Sequence, residues 1–324
     1  MKRKEPLQTT YINPLVNDDF PDPSVIELPG LGYYAYATHD EFSPTINNIL
    51  VRHSWDLINW SEAEGALTEP PVWAKTCRRF WCPHVAKVND KYYMYYAAEP
   101  DTKDGMCLAF ATSNKPFAFA DCGHPFRRSA GSTYQMIDPC FFIDPVTKKY
   151  LLYYGSAHEP IRVVELAADG VTIINGPVPV LYPGNEPFQK LREGAFVTYN
   201  KTSKRYFLYV SGDNTWAENS YAISVFWSFD PTKNFTKIPG QHIIVQPNSY
   251  WDSPGQNCII KDSEENEWII YHAVERKDRI IKGTNIVLRK MCLDRILYTS
   301  DGWPYVENNS PSFAAQPVPV VKPA

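Results

Sequence analysis

Five stretches decide the fold: YYAYAT beginning at Tyr33, YYMYYA at Tyr92, YLLYYG at Tyr150, YFLYVS at Tyr206 and WIIYHA at Trp268. Each carries tyrosine at its fourth position, namely Tyr36, Tyr95, Tyr153, Tyr209 and Tyr271, and the steps between them are 59, 58, 56 and 62 residues. A near-constant period of this size marks one supersecondary unit built five times. Aromatic and β-branched residues in short runs bounded by Gly, Asp and Asn suit a pleated, buried surface, so each stretch reads as a strand. A partner run follows each: NNILVRHS from Asn47, MCLAFATS from Met106, IRVVELAA from Ile161, YAISVFWS from Tyr221 and NIVLRKMC from Asn285. Asp-Gly pairs at 104–105, 169–170 and 301–302 supply turn chemistry. The expectation is an all-β chain folded as a five-bladed β-propeller.

At 324 residues the chain is long enough for two domains, but five units fill it. One domain is therefore expected over 1–324, with blades near 14–75, 76–130, 131–186, 187–248 and 249–306 and an irregular tail at 307–324. Aromatic content of 14% and 28 prolines argue for a β ring over an α/β sheet. The formal charge of −4 leaves no basic face for nucleic acid, and the Lys2-Arg3-Lys4 cluster reads as a solvated terminus. No apolar run approaches a membrane span, and MKRKEPLQTT lacks the apolar segment of a signal peptide. Seven cysteines without a CxxC pair favour reduced, buried thiols, so a cytoplasmic setting is expected. The oligomeric state is not readable.

There is no GxSxG elbow, HExxH, GxxxxGK[ST] or clustered Cys/His spacing in the chain. Carboxylate chemistry remains. The segments ahead of the five tyrosine runs, where the innermost strand of each blade should begin, are DPSVIE from Asp22, CPHVAK from Cys82, DPCFFI from Asp138, EGAFVT from Glu193 and QNCIIK from Gln256. Their first residues precede the matching tyrosines by 14, 13, 15, 16 and 15 positions. Equivalent positions in a ring converge on its axis, and three of these five are acids. Taken singly, Asp-Pro opens turns and Glu-Gly is ordinary loop. Bland turn residues have no reason to be carboxylates at three equivalent places.

With NDDFPDPSV in blade one, FWCPHVAKVNDKYYMYYA in blade two, IDPCFFID in blade three, REGAF in blade four, and SPGQNCII, WIIYHA and LRKMCLDRILYTSDGWP in blade five, the chain resembles glycoside hydrolase family 43 along nearly its whole length. The resemblance implies an inverting glycosidase in which Asp22 is the general base, Glu193 the general acid and Asp138 the carboxylate that orients the acid and raises its pKa. It also places Arg289 against substrate, where a guanidinium can orient a sugar hydroxyl or the third carboxylate. Trp73 and Trp81 flank the start of blade two and are candidate sugar-stacking faces, ordinary core packing being the alternative for each. Many members have Gly-His-Asn in blade five, the histidine helping to hold a central ion or water; here the segment is Gly255-Gln256-Asn257. No cofactor is therefore expected to be required and no central calcium is assigned, Gln256 being the candidate for a ligand or water-binding residue. His272 reads as a satisfied interior histidine.

The expected activity is an exo-acting α-L-arabinofuranosidase working on arabinan or arabinoxylan fragments of the plant cell wall. The same machine would serve a β-D-xylosidase, a galactofuranosidase or an endo-arabinanase, and the alternative from another class is a non-catalytic glycan-binding propeller.

Overall fold

The computed structural model describes residues 8–40, 48–77, 79–128 and 135–321, so the Lys2-Arg3-Lys4 cluster lies outside the described residues. Five antiparallel sheets follow one another along the chain. The innermost strands are Ser24–Leu28, Arg79–Val88, Cys140–Ile143, Glu193–Asn200 and Trp251–Lys261. The tyrosine runs are the second strands: Gly32–Ala37, Lys91–Ala98, Tyr150–Tyr154, Arg205–Asp213 and Glu267–Glu275. Third strands are Leu50–Ser54, Cys107–Ser113, Ile161–Leu166, Tyr221–Ser228 and Lys290–Tyr298, and outer strands complete each sheet, short in every blade but the third, where Ile173–Leu181 is the longest of its sheet. One partner run departs from expectation. NIVLRKMC is mostly loop, and the third strand of blade five begins only at Lys290. The reason is local: Ile281 and Ile286 close a turn over Gly283, and the Arg289 carbonyl is taken by the Phe20 amide.

Each innermost strand touches those of the blades before and after it, including the first and fifth, so the ring is closed. Closure is reinforced outside the blades. Thr10–Tyr11 pairs with Gln316–Pro317, and Leu15 and Val16 donate to the Met291 carbonyl of blade five. His39–Asp40 leaves blade one to pair with the innermost strand of blade two. The apolar core lies mainly in five clusters, each wedged between two neighbouring blades. No helix among the described residues is long and apolar enough to cross a membrane.

The repeated tyrosine has a physical reason. All five are essentially fully buried, so each hydroxyl needs a partner. Tyr36 donates to the Pro116 carbonyl of blade two at 2.5 Å, Tyr95 to Gly170 of blade three at 2.6 Å and Tyr153 to Pro231 of blade four at 2.7 Å. Three blades are thus stapled to the outer turn of the next. Tyr209 is buried beside Tyr298 of blade five, and Tyr271 donates to Asp294 at 2.6 Å, a carboxylate that also receives Asn13 and Ser312 from the two terminal segments. Tyr153→Phe leaves the Pro231 carbonyl unsatisfied and is expected to cost about 1–3 kcal/mol. Thermal unfolding should report the loss as a lower Tm, with activity at room temperature unchanged.

Candidate functional site

Just ahead of or within every innermost strand lies the same backbone device. Asp22 (φ 56°), Cys82 (φ 48°), Asp138 (φ 59°), Gly194 (φ 65°) and Gln256 (φ 46°) all adopt the left-handed conformation. Four of the five are not glycine, and each such residue costs on the order of 1–3 kcal/mol, a strain that persists where the surroundings fix it. The register read from sequence is right in four blades and off by one in the fourth. There Gly194, 15 positions ahead of Tyr209, takes the equivalent position and Glu193 precedes it.

The three acids meet in one pocket of about 550 Å³ at this end of the ring. Asp22 is buried against two cationic or polar partners. Arg289 Nη1 lies 3.3 Å from both of its oxygens, and His272 Nδ1 lies 3.1 Å from Oδ1. Burial alone would raise the Asp22 pKa, but the Arg289 guanidinium and His272 outweigh it and hold the carboxyl well below the usual range. Glu193 differs. Its oxygens accept hydrogen bonds from Ser156 Oγ at 2.6 Å and Tyr221 OH at 2.7 Å, yet burial dominates and, with the charge of Asp22, pushes its pKa up. Asp138 accepts the Gly194 amide at 2.7 Å, and burial together with repulsion from Glu193 drives its pKa well up. Two adjacent buried carboxyls of this kind hold a proton between them at neutral pH.

Trp81 and Gln256 line the same pocket. Arg289 does too, but its partner is Asp22 rather than Asp138, and its main chain is tied to Asp19 and Phe20. Trp73 is not brought to the pocket. It packs in the cluster between blades one and two, and its indole N–H donates to Asp121 Oδ1 at 3.1 Å. His272 is an interior histidine in full, with its imidazole against Asp22 and its pKa lowered by burial, so it packs as the neutral ring. Its ring stacks on Tyr221 at 6.0 Å and 6°. Gly255 makes room for that stack, since a Cβ there would come within 1.8 Å of the Tyr221 ring. Ser156, Tyr221, Thr215 and Trp216 are pocket residues that sequence reasoning missed. They stand off the tyrosine register, in loops or later strands, and only the resemblance of blade-to-blade geometry would have found them.

The sequence profile of Glycosyl hydrolases family 43 matches residues 11–304. The chain belongs to glycosyl hydrolases family 43. Among relatives within the family, the probable arabinan endo-1,5-alpha-L-arabinosidase D of Emericella nidulans is 29% identical over 156 residues, and the match spans 43% of this chain and 40% of that protein. The extracellular endo-alpha-(1->5)-L-arabinanase 1 of Bacillus subtilis is 24% identical, with 89% of this chain and 88% of that protein covered. The crystal structure of a thermostable family-43 glycoside hydrolase superposes with a TM-score of 0.78 at 23% identity, covering 97% of this chain and all (100%) of that one, and so shares its five-bladed fold.

A central calcium of the sort the family resemblance implies would need oxygen donors near the axis. Calcium takes six to eight oxygen ligands. Beneath the acids of this family 43 chain, His84 of blade two and Phe196 of blade four, which are not neighbouring blades, bring their rings to 6.0 Å across the axis. Cys140 and Cys258 supply sulfur from blades three and five, and the Cys258 thiol already receives the Val25 amide at 3.3 Å. Among the described residues no group of three or more His, Cys, Asp or Glu stands at metal-binding distances. The donors around this point of the axis are imidazole and thiol rather than the oxygens calcium takes, and no chemical step is routed through an ion.

Proposed function

We propose that this chain is an inverting glycoside hydrolase that cleaves α-1,5-linked arabinofuranosyl bonds of arabinan. The observation that carries the reading is the opposite bias of two carboxyls in one pocket: Asp22 is held ionised, and Glu193 is held toward its protonated form. Asp22 takes a proton from water as the water oxygen attacks the anomeric carbon. Glu193 gives its proton to the departing glycosidic oxygen on the opposite face, and the anomeric configuration inverts. Ser156 and Tyr221 aim the acid, burial and the charge of Asp22 keep its pKa high, and Asp138 is the neighbouring buried carboxyl whose ionisation it opposes.

Arabinan as substrate is supported by the names of the relatives, which are arabinan endo-hydrolases. The exo-acting α-L-arabinofuranosidase expected from sequence uses the same carboxyls and differs only in whether the glycan ends in the pocket or passes through it. Those names favour passage. They also favour action outside the cell, where a cell-wall polymer is met, over the cytoplasmic setting expected from the cysteines, although none of the seven cysteines is in a disulfide among the described residues.

The test is a panel of linear α-1,5-arabinan and aryl glycosides of arabinofuranose, xylopyranose and galactofuranose. Oligosaccharides released from arabinan are expected. Preference for the aryl xylopyranoside would overturn the sugar assignment, and oligosaccharide binding with no release would favour a non-catalytic propeller. The pH profile supplies a separate check. Activity requires ionised Asp22 and protonated Glu193, so kcat/KM should fall at low pH with the base and at high pH with the acid. Asp138→Asn removes a neighbouring carboxyl that adds to burial and Asp22 in opposing ionisation of Glu193. Its high-pH limb should therefore move to lower pH, while the low-pH limb stays in place.

A further inference from the structure

Between its second and third strands, blade four presents residues 214–220 to the rim of the pocket, and this segment is held from blade five. Trp216 is half exposed (50%) and lines the pocket, and its ring lies 5.1 Å from the Arg289 guanidinium that pairs with the base. A large indole left half in water at the rim of the pocket is not explained by core packing.

The means of holding it is unusual. Asp252 of blade five is fully buried, and it accepts Arg279 Nη1 at 2.6 Å and the Asn219 amide at 2.9 Å. Arg279 uses its other terminal nitrogen to donate to the Trp216 carbonyl at 3.0 Å. Arg276 reaches the same carboxylate at 3.7 Å and donates to Asn219 Oδ1 at 2.6 Å. One buried carboxylate thus fixes both ends of the Trp216 segment. A buried ion pair is weak support for stability alone, since apolar residues of similar volume often do as well. What this one fixes is geometry.

We infer that Trp216 is the platform on which a sugar ring of the substrate stacks, and that Asp252, acting through Arg279, is the positioning residue that holds this platform over Arg289. Pentose rings carry an apolar C–H face that matches an aromatic surface, and the hydroxyls at the ring edge are left to the polar groups of the pocket. The identity of the sugar rests on the arabinan reading above. The stacking and its latch rest on the contacts of Trp216.

The experiment uses the full chain with Glu193→Gln to prevent turnover, and reads binding of α-1,5-arabinohexaose by calorimetry and tryptophan fluorescence. In that background Trp216→Ala is expected to weaken binding about ten-fold and to abolish most of the fluorescence change. Arg279→Lys keeps a cation on Asp252 but cannot also reach the Trp216 carbonyl, so it should retain the parent Tm while weakening binding several-fold. A merely structural latch would move Tm and affinity together, or neither. Unchanged affinity in Trp216→Ala, with binding by Glu193→Gln intact, overturns the inference alone. No binding of arabinohexaose by Glu193→Gln itself overturns the arabinan reading and this inference with it.

Discussion

Glu193→Gln is expected to lower kcat/KM on α-1,5-arabinan by roughly 10²–10⁴-fold, while hydrolysis of an aryl arabinofuranoside with a dinitrophenolate leaving group stays within about ten-fold of the parent. The difference isolates the role. A sugar alkoxide departs only with a proton, whereas a dinitrophenolate departs without one. Glutamine preserves the volume, and its amide oxygen can keep one of the two native bonds, which come from Ser156 at 2.6 Å and Tyr221 at 2.7 Å and go to different carboxylate oxygens. The high-pH limb of the profile should vanish on the activated substrate, because the group that titrates there is gone. Equal losses on both substrates would assign Glu193 some role other than proton donation.

Asp22→Gly should lose activity on both substrates to a similar degree, since the nucleophilic water is left without its base. Glycine is the informative replacement because Asp22 sits at φ 56°, a conformation glycine accepts without strain and alanine does not. The change also leaves room in the pocket. Added azide should then restore turnover of the activated substrate, attacking the anomeric carbon in place of water and giving a glycosyl azide of inverted configuration. Stability will fall as well. The substitution strands the Arg289 guanidinium, 4% exposed, without its carboxylate, and breaking a buried pair in this way costs about 3–5 kcal/mol. Asp22→Asn keeps the side-chain volume, and asparagine tolerates the left-handed backbone, so it separates the loss of the base from the loss of packing. No azide rescue in Asp22→Gly, alongside a folded protein by circular dichroism, would count against Asp22 as the base.

Much of this was legible in the chain because the fold repeats. The tyrosines mark second strands, and three of their hydroxyls staple one blade to the next, so their period reports the blade, and counting back from them reaches the left-handed position just ahead of or within each innermost strand. That count found Asp22 and Asp138 directly, and Glu193 with an error of one residue. The left-handed residue there is Gly194, 15 positions ahead of Tyr209 as Asp138 and Gln256 are ahead of their tyrosines, and the acid is its neighbour. Residues outside the register were not legible. Tyr221 belongs to a third strand, Ser156 and Trp216 to loops, and nothing in their local sequence says that they converge on Glu193 or on the pocket rim. Trp73 misled for the opposite reason, being an aromatic near a pocket-forming segment whose indole N–H is already bonded to Asp121. Arg289 was placed at the site by resemblance, but its pairing with the base is a property of the folded ring, contributed by blade five where the chain closes on blade one.

The central claim is a single displacement with Asp22 as base and Glu193 as acid, and the stereochemistry of the first product tests it most directly. Proton NMR of an α-L-arabinofuranoside hydrolysed in the spectrometer should show the β-anomeric signal of the released sugar first, with the α signal growing in later by mutarotation. Initial appearance of the α anomer would mean retention, and would contradict the mechanism.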